Sequence, residues 1–183
     1  LLDALASRWR AQPPHTRIIA AGITTSAPVV ADVLRVVSRL PQGMVVLPGV
    51  DLHMEESQWQ ALGPHAPDPA SGRVARAIET HPQYHLKLLL DRMGVNRAEV
   101  MRWSRSGESD APAVRSRVLS NAFAPARFTD RWIDLPNDQR SLSHVDLVEA
   151  EDSAEEAQVV ALAVREALET PGRRVAVVTP DRA

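Results

Sequence analysis

The chain has no cysteine and one lysine, Lys87, among its 183 residues. Without thiols, this stretch holds no disulfide, no thiolate metal site and no cysteine nucleophile. Arginine carries nearly all the positive charge. With 21 Lys+Arg against 23 Asp+Glu, the net charge is −2. That balance gives no overall basic field of the kind that marks a self-sufficient nucleic-acid-binding domain. Aromatic residues make up only 4%, so a core must be built from Leu, Val, Ala and Ile. No apolar run reaches the length of about 20 residues that a membrane helix requires, and the expected setting is the cytoplasm, with no membrane partner. The Gly-x-x-x-x-Gly-Lys-Ser/Thr loop that cradles nucleotide phosphates is also missing.

What is present is a set of short apolar runs closed by turn residues. Arg17-Ile18-Ile19-Ala20-Ala21-Gly22 is one, and Gly43-Met44-Val45-Val46-Leu47-Pro48-Gly49 is a second. Arg174-Val175-Ala176-Val177-Val178-Thr179-Pro180 is a third. Runs of this length suit strands covered on both faces. His144-Val145-Asp146-Leu147-Val148-Glu149-Ala150 alternates instead, as a strand with one more polar face does. Between the first two runs, Ser26 is the expected N-cap and Pro28 suits the first helical turn. Val30, Val33, Leu34 and Val37 share one face. Strand, helix and strand over about thirty residues form a parallel βαβ unit. A second unit is expected at the other end. There Ser153-Ala154-Glu155-Glu156 reads as a capping box, Ala157, Val160, Ala161, Val164 and Leu168 as a buried stripe, and Pro171-Gly172 as the stop.

The ninety residues between read as mostly helical. Short helices are expected at 55–62 and 72–80, a stronger one at 84–93 closed by Gly94, and others at 96–103 and 114–123. Residues 104–112 read as a polar loop and 125–143 as irregular, with a turn around Trp132. Trp9, Trp59 and Trp132 are expected as packing anchors.

Four groups of residues carry candidate chemistry. Gly22-Ile23-Thr24-Thr25-Ser26 joins a strand to a helix start, where backbone N–H groups and hydroxyls can hold a phosphate. Turn and cap chemistry accounts for the same residues. Asp51 and His53 follow a parallel strand at its carboxyl end, where α/β proteins bind ligands. They suit a small-molecule enzyme or a phosphate-binding domain, or simply an acidic helix start. Ser143, His144 and Asp146 contain the letters of a catalytic triad but are too close in sequence for its geometry. Arg102, Trp103, Arg105, Arg115 and Arg117 make a basic cluster with an aromatic, able to touch a phosphate backbone or stack on a base, or to form a solvated surface. No metal-ligating set is expected.

Three blocks, in this order along the chain, resemble AddB proteins of alphaproteobacteria. The first is Arg17 to Thr24 with Leu40-Pro41-Gln42-Gly43-Met44-Val45-Val46-Leu47-Pro48-Gly49-Val50-Asp51. The second is His81-Pro82-Gln83-Tyr84-His85-Leu86-Lys87-Leu88-Leu89-Leu90. The third is Glu155-Glu156-Ala157 with Val177-Val178-Thr179-Pro180-Asp181-Arg182-Ala183. The resemblance implies an α/β fold of RecA-like, superfamily 1 helicase type, with parallel βαβ units and a mostly helical middle. Residues 1–52 would end a first RecA-like domain, 53–143 would connect, and 144–183 would begin a second, truncated one. It further implies an internal fragment without catalytic residues, belonging to a subunit of an ATP-dependent helicase–nuclease of double-strand-break repair. The partner would be an AddA-type helicase–nuclease subunit, which uses the ATP, with DNA bound in the full complex. The family's iron–sulfur cluster and Mg belong to a nuclease domain, and no cofactor is expected in this stretch. Thr24, Thr25, Ser26, Arg102, Trp103, Arg105 and Arg182 are the residues expected to touch nucleotide or DNA.

Overall fold

In the computed structural model, β1 (Ile18–Ala21) and β2 (Gly43–Val46) pair in parallel, Ile18 against Gly43 and Ala21 against Val46. Residues 1–103, 113–140, 142 and 145–179 are described. The chain divides into two compact units, Leu1–Ser143 and His144–Ala183.

In the first unit a helix, α2 (Pro28–Arg39), crosses between the two strands. Proline suits its first position, because the N–H it lacks would have no helical partner there. The cap is Ala27 rather than the expected Ser26, and no side chain caps it. Ser26 presents its carbonyl to the Arg92 guanidinium instead. The helix ends where Leu40 turns to extended backbone before Pro41, as the residue before proline tends to do. Its buried residues are Ala31, Leu34, Val36 and Val37. This band differs from the expected stripe because α2 touches α1 (Leu2–Ala11) as well as both strands and α4 (Tyr84–Met93). Helix and strand meet closely at Gly43, where a Cβ would stand 1.8 Å from the Val37 carbonyl oxygen and 2.9 Å from Leu40 Cβ.

Two apolar clusters form the core. Ala31, Leu34, Leu89 and Met93 join α2 to α4. Met54, Trp59, Leu62, Tyr84 and Leu90 join the loop after β2, α3 (Glu56–Ala61) and α4. Helix α4 closes at Gly94 in the left-handed conformation, φ 65°, which glycine adopts without a steric penalty. Lys87, the sole lysine, is buried on α4 with its ammonium 2.7 Å from Asp91. Its aliphatic stem is apolar enough to be buried while the head reaches the half-exposed carboxylate.

Elsewhere in this unit the structure departs from expectation in detail. Residues 72–80 form no helix. The helix expected over 96–103 is a single 3-10 turn, Arg97–Glu99, with Asn96 and Glu99 in a reciprocal capping box. Helix α5 spans Ala113–Ala122. The stretch read as irregular contains 3-10 turns at Ala126–Asp134 and Asn137–Gln139.

The second unit carries α6 (Ser153–Leu168), capped by Asp152, whose Oδ1 accepts from the Ala154 and Glu155 N–H groups. The cap thus sits one residue earlier than expected. The strands expected on either side do not form: the described residues 145–150 and 173–179 belong to no strand. The expected stripe on α6 is not buried either, since no residue of the helix is. A strand takes its hydrogen bonds from a neighbour, and a helix stripe is buried only against a covering layer.

Candidate functional site: a cleft at the end of β2

Beyond Val46 the chain turns through Gly49, which adopts φ 62°, and runs into Asp51 and His53. This turn is clamped from α4's N-terminal end. The Gln83 carboxamide accepts from the Asp51 N–H at 2.9 Å and donates to the Gly49 carbonyl at 2.9 Å. A cleft of about 540 Å³ opens beside the clamp. The loop 47–53 forms one wall, His81 to Gln83 a second, Val100 to Trp103 a third, and Ser116, Leu119, Ser120 and Phe123 the fourth.

Asp51, His53 and His81 each have definite hydrogen-bond partners in the cleft. Asp51 Oδ1 accepts from the His53 and Met54 N–H groups at 2.8 and 2.9 Å, closing a local turn. His53 Nε2 lies 2.8 Å from Arg102 Nη2. The guanidinium can only donate, so the imidazole accepts at Nε2 and in its neutral form carries its proton on Nδ1. His81 has the opposite arrangement: Nε2 donates to the Phe123 carbonyl at 2.7 Å and Nδ1 accepts from the Gln83 N–H at 3.1 Å. One neutral tautomer satisfies both bonds, which suits a buried ring.

Arg97 fastens the cleft to the core. Its Nη1 donates to the Asp51 carbonyl at 3.2 Å, its Nη2 pairs with Glu56 at 2.9 Å, and its guanidinium lies 4.8 Å from the centroid of the Trp59 ring. Behind it, the hydrogen bond from Arg131 holds the Glu55 carboxyl below its usual range, against a smaller opposing cost of desolvation. These two border a smaller cleft of about 320 Å³ together with Trp132.

The structure therefore sorts the expected site residues. Arg102 and Trp103 line the cleft, and Ser116 places α5 there between Arg115 and Arg117. Thr24 and Thr25 are exposed and Ser26 half-buried in the loop before α2, away from the cleft lining. Arg105 and Arg182 lie outside the described residues, as do Ser143 and His144. Asp51 and His53 both line the cleft, the aspartate closing its own turn through Oδ1 and the histidine facing Arg102. Among the described residues no group of three or more histidines and carboxylates is placed to hold a metal. Sequence reasoning missed Gln83 and Phe123 as parts of the site. Thr80-His81-Pro82-Gln83 reads as a helix start, and its reach back to Gly49 and Asp51 has no local signature.

Among the described residues, no helix is long and apolar enough to cross a membrane. No protein-family model matches the chain, and no curated protein or solved structure matches it.

Proposed function

We propose that this chain is a non-catalytic, helicase-like portion of an AddB-type subunit, serving in a double-strand-break helicase–nuclease. It supports the AddA-type partner and guides DNA past the end of β2. On this reading the first unit closes one RecA-like domain and carries the helical connection, and the second begins another such domain. The observation that carries the proposal is the pairing of a parallel strand–helix–strand unit with a strand-end cleft edged by Arg102 and Trp103. The loop Gly22-Ile23-Thr24-Thr25-Ser26 has no phosphate-loop lysine, which accords with a unit that does not hydrolyse nucleotide.

The test is made in the intact parent complex with Arg102→Ala and Trp103→Ala. Weaker single-strand binding and shortened unwinding are expected. Unchanged DNA affinity and processing would sink the role of this surface. A second reading, a small-molecule α/β protein, is favoured by the cleft's volume of about 540 Å³, which falls in the usual range for ligand pockets. It requires turnover or binding of a free metabolite that a DNA strand does not displace.

A further inference from the structure

We propose that His53 and Arg102 together form a proton-strengthened phosphate clasp at the mouth of the cleft, whose apolar walls take the base of the same nucleotide unit. The partner of Arg102 is unusual for an arginine. Among the described residues it is bonded to a neutral imidazole nitrogen, at 2.8 Å, and to no carboxylate. One acceptor uses one of the five N–H donors of a guanidinium, and the remaining fork suits a phosphate. Both side chains are reachable, Arg102 exposed and His53 half-buried.

When His53 takes up a proton, it loses the acceptor at Nε2 and becomes a second cation beside the first. Two cations in contact repel unless an anion lies between them. A phosphate oxygen fills that place and accepts from both. Of the neighbouring Asp51, Glu55 and Glu56 carboxylates, only Asp51 keeps an unpaired charge, since its partners are backbone N–H groups, and the two cations of the clasp must outweigh it. The Asp51 carboxylate closes the turn on the His53 and Met54 N–H groups, and Glu56 is paired with Arg97. Glu55 is paired with Arg131, and His81 is bonded at both ring nitrogens. Beside the clasp stand Trp103 and Phe123, 58% and 56% exposed, with Val100 and Leu119 in the walls. Half-exposed aromatics next to an arginine are the pairing that stacks bases while holding their phosphates.

The same unit, a base with its phosphate, comes either from a free nucleotide or from a single strand of DNA. The choice of a strand as the source rests on the AddB-type reading; the clasp itself does not. Two probes separate them. Thymidine 5′-(methyl phosphate) is a single unit whose diester keeps one charge across the pH range, unlike a monoester with a pKa of about 6. The other is an oligothymidylate of about twelve nucleotides, long enough to cover a typical single-strand site. Binding of each to the whole chain is measured by calorimetry at about pH 5.5 and about pH 8, on either side of the ordinary imidazole range.

The expected result is binding on the order of tenfold tighter at the lower pH, as a new charge-assisted hydrogen bond gives. Thymidine alone should show no such gain. His53→Gln keeps an acceptor for Arg102 but cannot take up a proton, so it should bind at the higher pH and lose the gain. Arg102→Gln should weaken binding at both. The pair is overturned if the gain survives in His53→Gln, if thymidine binds as tightly as the diester, or if neither probe binds. A strand that binds without regard to His53 and Arg102 overturns the clasp and leaves the DNA-handling reading intact. A single unit that shows the gain, with no tighter binding by the strand, supports the clasp and counts against that reading.

Discussion

The two units spend their apolar residues differently. In the first, α2 and α4 bury leucines, valines and a methionine against each other and against a sheet. In the second, α6 carries an apolar stripe, yet its Val160 is 38% and its Leu168 55% exposed, and Val178, beyond the helix, 91%. The contrast shows that an apolar run states a demand for cover, and only a neighbouring layer can meet it. The first unit contains its own layer. In the second, α6 is secured at its start by the Asp152 cap and along its length by helical hydrogen bonds.

Five measurements bear on that contrast. All four tryptophans, Trp9, Trp59, Trp103 and Trp132, belong to the first unit, so tryptophan fluorescence follows that unit while helical circular dichroism follows both. Trp59→Ala removes a buried ring from the cluster of Met54, Leu62, Tyr84 and Leu90. It should cost about 3–5 kcal/mol in urea unfolding read by the remaining tryptophans. Gly43→Ala sets a methyl against the Val37 carbonyl and should cost about 3 kcal/mol in the same assay, at the upper end of overpacking effects. A smaller loss would show that α2 and β2 can part at this joint.

Gln83→Ala frees the Gly49 carbonyl and the Asp51 N–H together. The expected cost is about 1–3 kcal/mol, with faster amide exchange at Asp51 as its local signature. In the second unit, Leu168→Ser on the apolar stripe of α6 should change stability by no more than about 0.5 kcal/mol. A loss of several times that, seen in the dichroism, would mean that this face is covered in solution and would break the contrast.

The smallest effect concerns acid. The hydrogen bond from Arg10 is the main cause that holds the Asp32 carboxyl below its usual range; desolvation opposes it and Arg35 adds to it. A lowered folded value means that the contribution is present above the unfolded carboxyl's value and disappears as pH falls through the folded one. Asp32→Asn should therefore separate from the parent chain at neutral pH and converge with it in strong acid, where both carry an uncharged side chain. Unfolding midpoints measured across that range test this. Parallel curves down to the lowest pH would remove the α1–α2 ion pair from the account.

Much of the first unit was legible because its signals are local. The strand–helix–strand spacing, Pro28 at a helix start and Gly94 at a helix end each act within a few residues. The strands expected around α6 failed because their apolar letters cannot say whether a partner strand is present. The cleft was half legible. Arg102 and Trp103 stand out as a cluster, and Asp51 and His53 as a strand end. Their grouping was hidden because His53 and Arg102 are 49 positions apart, and no pattern shorter than the fold connects them. The pairing of His53 with an arginine rather than with Asp51 follows from where the 3-10 turn at Arg97–Glu99 delivers the chain.

The Gln83 clamp has a mechanical consequence. One rigid amide group spans Gly49 and Asp51, so neither end of the turn can shift without straining the bond at the other. The floor of the cleft is thus held at two points by a single side chain. Because the clamp is mounted where α4 begins, it joins the turn to a helix whose Leu89 and Met93 lie in one core cluster and whose Leu90 lies in the other. The shape of the cleft and both halves of the core are thereby referred to one helix.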